Sequence, residues 1–269
     1  MIPQPFIDAW RSIAPWRTPD MIEQDLIISR AVIDIYNDPF LRRKVAFRGG
    51  TALHKLYLQP AARYSEDIDL VQVSAESVGE TFDRFRQVLN YLGEPSRSQK
   101  HRNTTLIYRF ESETPPTVPM RLKIEINCRE HFTVFGYQTV PYKVESRWFS
   151  GQSNLVSYSI EELLCSKMRA LFQRKKGRDL FDLWYSLSHR TINVEQVLQA
   201  FDVFIRHNEL TILKEEYIDN IYDKISDPDF QSDIAGLIRP GIEYDLEQSF
   251  EYLNKNLFSK MSSQIGLLL

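Results

Sequence analysis

The sequence lacks the features that mark secreted and membrane proteins. Its two cysteines, Cys128 and Cys165, lie far apart and form neither a metal-binding motif nor a disulfide framework. No apolar run approaches the roughly 20 residues that a membrane-spanning helix needs, and the first residues carry neither the basic nor the apolar segment of a signal peptide. We therefore expect a cytoplasmic protein with reduced thiols and no membrane partner.

The motifs of several enzyme classes are also missing. The five histidines show no metal-ligand spacing, and no local motif suggests a Ser-His-Asp or Cys-His group. The pair Gly49-Gly50 is not followed by the Gly-Lys-Ser/Thr ending of a P-loop. Because the net charge is only −3, a site for a polyanion must be a local patch. Two small basic patches, Lys100-His101-Arg102 and Arg42-Arg43-Lys44, could contact a nucleic-acid phosphate, although such patches are usually simply exposed.

The pattern of apolar residues predicts an α+β protein in two parts. With 269 residues, of which 43% are hydrophobic, the chain can form one large domain or two smaller ones. Strands are predicted at 45–47, 67–73, 104–110, 121–127 and 139–146, and helices at 18–37, 51–58 and 75–92. Helical patterns alone follow at 159–188, 193–207, 210–226 and 241–257. We expect a mixed sheet with helices in residues 1–150 and a helical bundle in residues 151–269.

The most informative motif is a pair of aspartates inside a β-prone segment. Asp67 and Asp69 are separated by one isoleucine, so in a strand their side chains point to the same face. Neighbouring carboxylates repel each other, and a divalent cation such as Mg²⁺, which binds one or two carboxylates together with substrate phosphates, removes that cost. An Asp-x-Asp pair can also be an exposed turn, but here it interrupts an apolar strand, where uncompensated charge is expensive.

A glycine turn precedes this pair. Gly49-Gly50-Thr51 ends one predicted strand and begins a helix. Glycine permits a positive φ and lets a ligand approach the backbone, and the N-terminus of a helix favours a phosphate. Taken alone, these three residues more often form an ordinary strand-to-helix turn with no ligand. Taken with the aspartate pair, however, the turn suggests metal-assisted nucleotidyl transfer.

A third acidic residue lies in another predicted strand. Glu125 is on the face opposite the apolar residues of that strand, together with Lys123. It could complete a metal site or act as a base. The alternative is a solvated polar face with a contact between Lys123 and Glu125, and the sequence does not choose between these two interpretations.

A second group of charged residues lies in the helical part of the chain. Its members are Lys167, Arg174, Arg178, Asp179 and Asp182. On one continuous helix the three cations would share a face; alternatively, Gly177 breaks the helix and the acids begin the next one. The group could neutralise a triphosphate, or it could be a solvated helix surface with i,i+4 ion pairs.

The order of these motifs resembles that of the AbiEii / MenT family of toxin nucleotidyltransferases, relatives of the DNA polymerase β-like superfamily. That family has a Gly-Gly-Thr-Ala-Leu turn, an Arg-x-Ser-x-Asp-x-Asp-Leu strand, a carboxylate flanked by hydrophobic residues, and a Lys…Arg…Arg-Asp-x-x-Asp segment. The matching segments here are residues 49–53, 63–70, 123–126 and 167–182. Many polymerase β-like enzymes have serine where this chain has Thr51, but threonine is usual in the toxin family.

The resemblance implies roles for individual residues. The implied metal ligands are Asp67, Asp69 and Glu125. The implied catalytic residues are these three with Lys167, Asp179 and Asp182, and the sequence does not say which of the last two is the functional acid. The implied nucleotide-binding residues are Gly49, Gly50, Thr51, Arg63, Ser65, Arg174 and Arg178. The helical part of the chain would thus contribute its Lys/Arg-Asp motif to the active site.

The resemblance also implies an activity. A toxin of this kind would use Mg²⁺, or Mn²⁺ in its place, to move a nucleoside monophosphate from an NTP to an acceptor. Some relatives modify the acceptor end of tRNA, so we expect an RNA acceptor, and a cognate antitoxin as the neutralising partner. The alternatives are a nucleotidyltransferase that acts on a small molecule, such as an antibiotic, and a non-catalytic nucleotide-binding protein whose partner performs the chemistry.

Overall fold

The protein was analysed as a computed structural model that describes residues 2–100 and 103–266. The chain divides into two compact units, Met1–Tyr158 and Ser159–Leu269. Two residues of one predicted basic patch, His101 and Arg102, lie outside the described residues. Across the described part of the chain, no helix combines the length and the hydropathy that crossing a membrane requires.

The first unit is built on a mixed β-sheet. Its strands are β1 (Val45–Arg48), β2 (Asp67–Gln72), β3 (Ser96–Lys100), β4 (Asn103–Glu111), β5 (Pro119–Asn127), β6 (Gln138–Glu145) and β7 (Ser150–Ser157). They lie in the order β3-β4-β5-β2-β1-β7-β6. β2 runs parallel to β5 and β1 runs parallel to β7, whereas the other neighbours are antiparallel. The two strands that flank the glycine turn in sequence therefore lie side by side in the middle of the sheet.

Alternating side chains give the central strands one apolar and one polar face. The apolar face includes the fully buried residues Ile68, Leu122, Ile124 and Ile126. Lys123 and Glu125 alternate with them on β5 and are half-buried. The polar face consequently carries the charged residues that the sequence singled out.

The first unit also contains five α-helices among its described residues. They are α1 (Gln4–Trp10), α2 (Pro19–Asn37), α3 (Leu41–Lys44), α4 (Gly49–Ala52) and α5 (Gly79–Val88). α2 has apolar residues on most of its circumference and is buried along most of its length, where it packs against α1 and β7. α4 begins at the glycine turn and continues as a π-helix over Leu53–Tyr57.

The predicted α+β class is confirmed, although two strands of the sheet were not predicted. β7 has the polar sequence Ser-Gly-Gln-Ser-Asn-Leu-Val-Ser, which shows no clear apolar alternation. It is a strand because it pairs with both β1 and β6. This pairing places β7 in the first unit, which extends to Tyr158 rather than ending near residue 150.

The second unit is mainly helical. Its helices are α6 (Ile160–Gln173), α7 (Gly177–His189), α8 (Val194–His207), α9 (Lys214–Ile225), α10 (Pro228–Ala235) and α11 (Leu246–Asn256), and a short pair of strands joins Ile212–Leu213 to Gln264–Ile265. The continuous helix considered for 159–188 is interrupted before Gly177. A Cβ on Gly177 would lie 2.2 Å from the carbonyl oxygen of Phe230, so α7 begins where its backbone touches α10.

Candidate active site

The polar face of the sheet brings together the carboxylates that the sequence singled out. Asp67 and Asp69 lie two residues apart on β2 and share a face. The parallel register places Glu125 beside Asp69 and Lys123 beside Asp67. Residues that face each other on neighbouring strands lie on the same side of a sheet. Three acidic residues and one lysine therefore form a group on two adjacent strands.

Lys123 contacts two of the three carboxylates. Its Nζ lies 2.7 Å from Oε2 of Glu125 and 3.6 Å from Oδ2 of Asp67. Asn103 donates from Nδ2 to the other oxygen of Glu125 at 3.3 Å. The contact between Lys123 and Glu125 that the sequence left open is thus present. Lys123 was not predicted as a site residue, although its position two residues before Glu125 on a strand could have indicated it.

The negative charge of this group is incompletely balanced. Burial raises the pKa of Asp67 from 3.8 to about 6; the charge of Lys123 opposes this shift and the charge of Asp69 adds to it. Ionisation of Asp67 is therefore costly until another positive charge arrives. Perturbed carboxyl groups of this kind are common in active sites.

The glycine turn touches the aspartate pair. Gly49 has a φ of +76°, which lies in the left-handed region that glycine adopts without strain. A Cβ added to Gly49 would lie 2.2 Å from Oδ2 of Asp69. Only glycine therefore lets the backbone of the turn approach this carboxylate so closely.

Arg63 lies beneath the second glycine of the turn. A Cβ on Gly50 would lie 2.4 Å from Nη2 of Arg63. Arg63 is 2% exposed and donates from Nη1 to the carbonyl oxygen of Tyr64 at 2.9 Å. The sequence suggested that Arg63 binds the nucleotide, but its burial favours a role in supporting the turn.

Thr51 and Ser65 connect the turn to β2. The buried hydroxyl of Thr51 donates to the carbonyl oxygen of Asp67 at 2.5 Å and lies 2.8 Å from Oγ of Ser65. Because a hydroxyl group has one hydrogen, Ser65 is the donor in the second contact. These two bonds hold the start of α4 against the beginning of the aspartate strand.

Arg48 is a further charged residue of the site that the sequence analysis missed. It lies opposite Asp69 in the register of β1 with β2, and its Nη1 donates to Oε2 of Glu130 at 3.0 Å. Asn127 donates to the same oxygen at 3.0 Å. Burial lowers the pKa of Arg48, but the charges of Glu130 and Asp69 outweigh this effect and raise it. Arg48 is thus held beside Asp69, and its position directly before the glycine turn was the available signal.

The donor set of this face fits a hard divalent cation. Asp67 and Asp69 supply carboxylate oxygens from one face of β2, and burial together with the charge of Asp69 raises the pKa of Asp67. Mg²⁺ commonly binds one or two carboxylates and takes its other ligands from water and phosphate. Among the described residues, no three His, Cys, Asp or Glu side chains are already grouped as a metal cage. The assignment of Asp67, Asp69 and Glu125 as ligands stays a prediction.

The second unit contains a separate buried group of charges. Nζ of Lys167 lies 3.1 Å from Oδ1 of Asp179 and 2.8 Å from Oδ2 of Asp182. Both aspartates are fully buried, and Lys167 is nearly so. Arg174 donates to both carboxylate oxygens of Asp179, at 2.7 and 2.9 Å. The structure thus brings together four of the five charged residues predicted in this region.

The charge of this second group is balanced internally. Burial acts to raise the pKa of Asp179, but the charges of Lys167 and Arg174 outweigh it and hold the pKa below its usual value. Arg178, the fifth predicted residue, instead contacts Asp233 through Nε at 3.3 Å. Arg178 follows Gly177 at the start of α7, whereas Lys167 lies on α6, so the cations do not lie on one continuous helix.

A comparison with known protein families decides the identity of the fold and its class of chemistry. The profile of the nucleotidyl transferase AbiEii toxin family, from type IV toxin–antitoxin systems, matches residues 31–253. The chain belongs to this family. The matched span contains the glycine turn, the aspartate strand and the buried charges of the second unit.

AbiEii membership confirms the family that the motifs resembled and shows that the protein is a nucleotidyltransferase toxin of a type IV system. Such a toxin takes an NTP as its substrate, has an antitoxin as a partner and, as is general in nucleotidyltransferases, works with a divalent metal ion. No curated protein sequence matches the chain significantly.

Solved structures share the fold of this AbiEii family member. MenT4, a nucleotidyltransferase toxin from Mycobacterium tuberculosis, has a TM-score of 0.67 and 16% identity, over 96% of this chain and 90% of MenT4. JHP933 from Helicobacter pylori has a TM-score of 0.57 and 17% identity, over 88% of this chain and 90% of JHP933. At these identities the likeness establishes the fold and not the substrate.

Proposed function

We propose that this toxin transfers a nucleoside monophosphate from an NTP to a hydroxyl group of an RNA, with the acceptor end of tRNA as the expected site. The observation that carries the proposal is the contact between the glycine turn and the aspartate pair. Gly49 brings the backbone of the turn against the carboxylate of Asp69, which is the arrangement needed to hold a phosphate and a cation side by side.

Asp67 and Asp69 are the residues that would hold Mg²⁺, with Glu125 as a third ligand or as the base for the acceptor hydroxyl. When bound, such a cation would offset negative charge on the phosphates and favour ionisation of the acceptor hydroxyl. The raised pKa of Asp67 supports this assignment, because burial and the charge of Asp69 make its ionised form costly and a bound cation would offset that cost.

The glycine turn would position the β- and γ-phosphates. Gly49 and Gly50 have no side chains of their own. Phosphate oxygens can therefore approach the backbone N–H groups of Gly49, Gly50 and Thr51 closely. Thr51 would keep the turn in place through its bonds to Ser65 and to the carbonyl oxygen of Asp67, and Arg63 would do so by filling the space beside Gly50. The acceptor oxygen would attack the α-phosphorus, and pyrophosphate would leave.

The second unit offers two cations of its own, Lys167 and Arg174, for binding an anion. Arg174 has about half of its side chain exposed, which leaves it accessible to an anion, whereas Lys167 is held by Asp179 and Asp182. Asp179 and Asp182 both contact the ammonium group of Lys167, so either of them can serve as the functional acid of the Lys/Arg-Asp motif.

Transfer of label from each NTP to total tRNA tests the proposal. The purified toxin is incubated with α-labelled ATP, CTP, GTP or UTP, with Mg²⁺, and with intact tRNA or tRNA whose terminal ribose has been oxidised by periodate. We expect label in intact tRNA from at least one NTP and none in oxidised tRNA. Label in a small molecule instead of RNA would indicate the small-molecule alternative, and label from a γ-labelled NTP would indicate phosphoryl transfer.

We further propose that the toxin arrests growth through this transfer and that its antitoxin neutralises it. Matched inducible strains would express the wild type or Asp69→Asn at equal levels, checked by blot. Slow growth of the first strain alone, relieved by co-expression of the cognate antitoxin, is the expected result. Equal growth of the two strains would contradict toxicity through catalysis.

A further inference from the structure

Lys123 bridges carboxylates on two adjacent strands of the sheet. Its Nζ is 2.7 Å from Glu125 and 3.6 Å from Asp67, so one ammonium group joins a carboxylate on β5 to a carboxylate on β2. The side chain is 29% exposed and unbranched, so it can move without disturbing the apolar core. The contrast is Arg48, whose guanidinium is fixed by Glu130 beside Asp69.

The charges on this face show what Lys123 does. Asp67, Asp69 and Glu125 together carry three negative charges when ionised, and Lys123 returns one positive charge. Without Lys123, the carboxylates of two adjacent strands would face each other with no bridging cation, which destabilises a sheet. A divalent cation bound to the same oxygens would be repelled by the ammonium group.

We propose that Lys123 is a resident counterion of the catalytic carboxylates: it occupies Asp67 and Glu125 while no divalent cation is bound, and it must leave them when one binds. The inference rests on the proposed metal-dependent function of these carboxylates. It makes Lys123 a positioning residue, which stabilises the metal-free toxin and weakens its affinity for the metal.

The test compares metal binding and stability rather than turnover. Mn²⁺ binding without nucleotide is measured by electron paramagnetic resonance, and Tm is recorded with and without Mn²⁺. Lys123→Met keeps the length of the side chain and removes its charge. We expect Mn²⁺ to bind about tenfold more tightly to this variant, which corresponds to ~1.4 kcal/mol. We also expect a lower Tm without metal and a larger rise in Tm on Mn²⁺ addition than in the wild type.

Three variants serve as controls. Lys123→Arg keeps the charge and should restore the wild-type affinity and Tm. Lys143→Met removes a lysine that pairs with Glu145 at the same spacing on β6, outside the carboxylate group, and should leave Mn²⁺ binding unchanged. Asp69→Asn should abolish Mn²⁺ binding, so that the resonance of free Mn²⁺ stays at full intensity.

The outcomes separate this inference from the proposed function. If the wild type and Lys123→Met bind Mn²⁺ equally and show equal rises in Tm, Lys123 is not a counterion that the metal displaces, although the metal site stands. If neither protein shows any response to Mn²⁺, the metal site itself is wrong and the inference fails with it. Weaker Mn²⁺ binding by Lys123→Met would overturn the inference alone.

Discussion

Two groups of acidic residues in this protein differ in how their charge is balanced. Asp67 is about one third exposed, yet burial raises its pKa to about 6. Asp179 is fully buried, yet Lys167 and Arg174 hold its pKa below the usual value. The deeper carboxylate is the one that ionises more easily, because two cations contact it directly. Burial alone therefore does not set the charge state; the number and the distance of the partners do.

The difference suggests different tasks for the two groups. The carboxylates of β2 and β5 have one lysine among three acids, and Arg48 beside Asp69 is already paired with Glu130, so they can accept a further cation. The acids of α7 already have the cations they need. We therefore expect substitutions in the first group to affect chemistry and substitutions in the second group to affect folding first.

The largest expected effect is on transfer activity. Asp69→Asn removes a ligand charge and should lower the rate by about 10³-fold, the scale of losing a group that stabilises charge in the transition state. Its Tm should stay close to that of the wild type, because asparagine keeps the size of the side chain and removes a like charge beside Asp67. Single-turnover transfer to tRNA and thermal melting check both parts. Loss of activity together with loss of fold would show that the first group is structural.

The matched substitution in the second unit is Asp179→Asn. It leaves Arg174 and Lys167 beside a neutral amide in a buried position, and breaking a buried ion pair costs on the order of 3 kcal/mol. Chemical denaturation should show this loss, whereas Asp69→Asn should not. If the two variants were equally stable, the contrast in charge balance between the two groups would not hold.

A smaller loss is expected from Gly49→Ala. The new Cβ would lie 2.2 Å from Oδ2 of Asp69, and the φ of +76° would be strained for alanine. We expect about 1–2 kcal/mol of destabilisation together with reduced activity, because the carboxylate must shift. Gly93→Ala is the matched control, since Gly93 also has a positive φ but its Cβ would meet no atom within 4 Å. Activity lost equally in both variants would argue against a specific role for the contact with Asp69.

The smallest effect is on the pH dependence of stability. The pKa of Asp67 is raised from 3.8 to about 6 in the folded state, so the stability that its neutral form contributes is present below pH 4 and is lost as the pH rises through about 6. Asp67→Asn should remove this loss, which we put at about 1 kcal/mol because a third of the side chain is exposed. Asp179 has the opposite sign: its lowered pKa stabilises the fold above pH 4, and this contribution is lost in acid. Chemical denaturation of the wild type, Asp67→Asn and Asp179→Asn from pH 3.5 to 7.5, without metal, distinguishes the two dependences of stability on pH.

Much of this arrangement is set by local sequence. The one-residue spacing of Asp67 and Asp69 in a β-prone segment places both on one face, and the alternation of β5 places Glu125 opposite its apolar neighbours. The spacing of Lys167, Arg174, Asp179 and Asp182 brings these residues together once the chain turns before Gly177. These features depend on the 2-residue period of a strand and the 3.6-residue period of a helix, which any reader of the sequence can apply.

The tertiary structure determined which residues of different strands meet, which the period of a single strand or helix does not determine. The parallel pairing of β2 with β5 set Lys123 beside Asp67, and the pairing of β1 with β2 set Arg48 beside Asp69. β7 became a strand despite its polar sequence because β1 and β6 flank it. Strand register joins residues that lie far apart in the chain, and it is chosen by the burial of the whole apolar face. The sequence alone thus determined which residues carry charge and which face they share, and the sheet determined which charges meet.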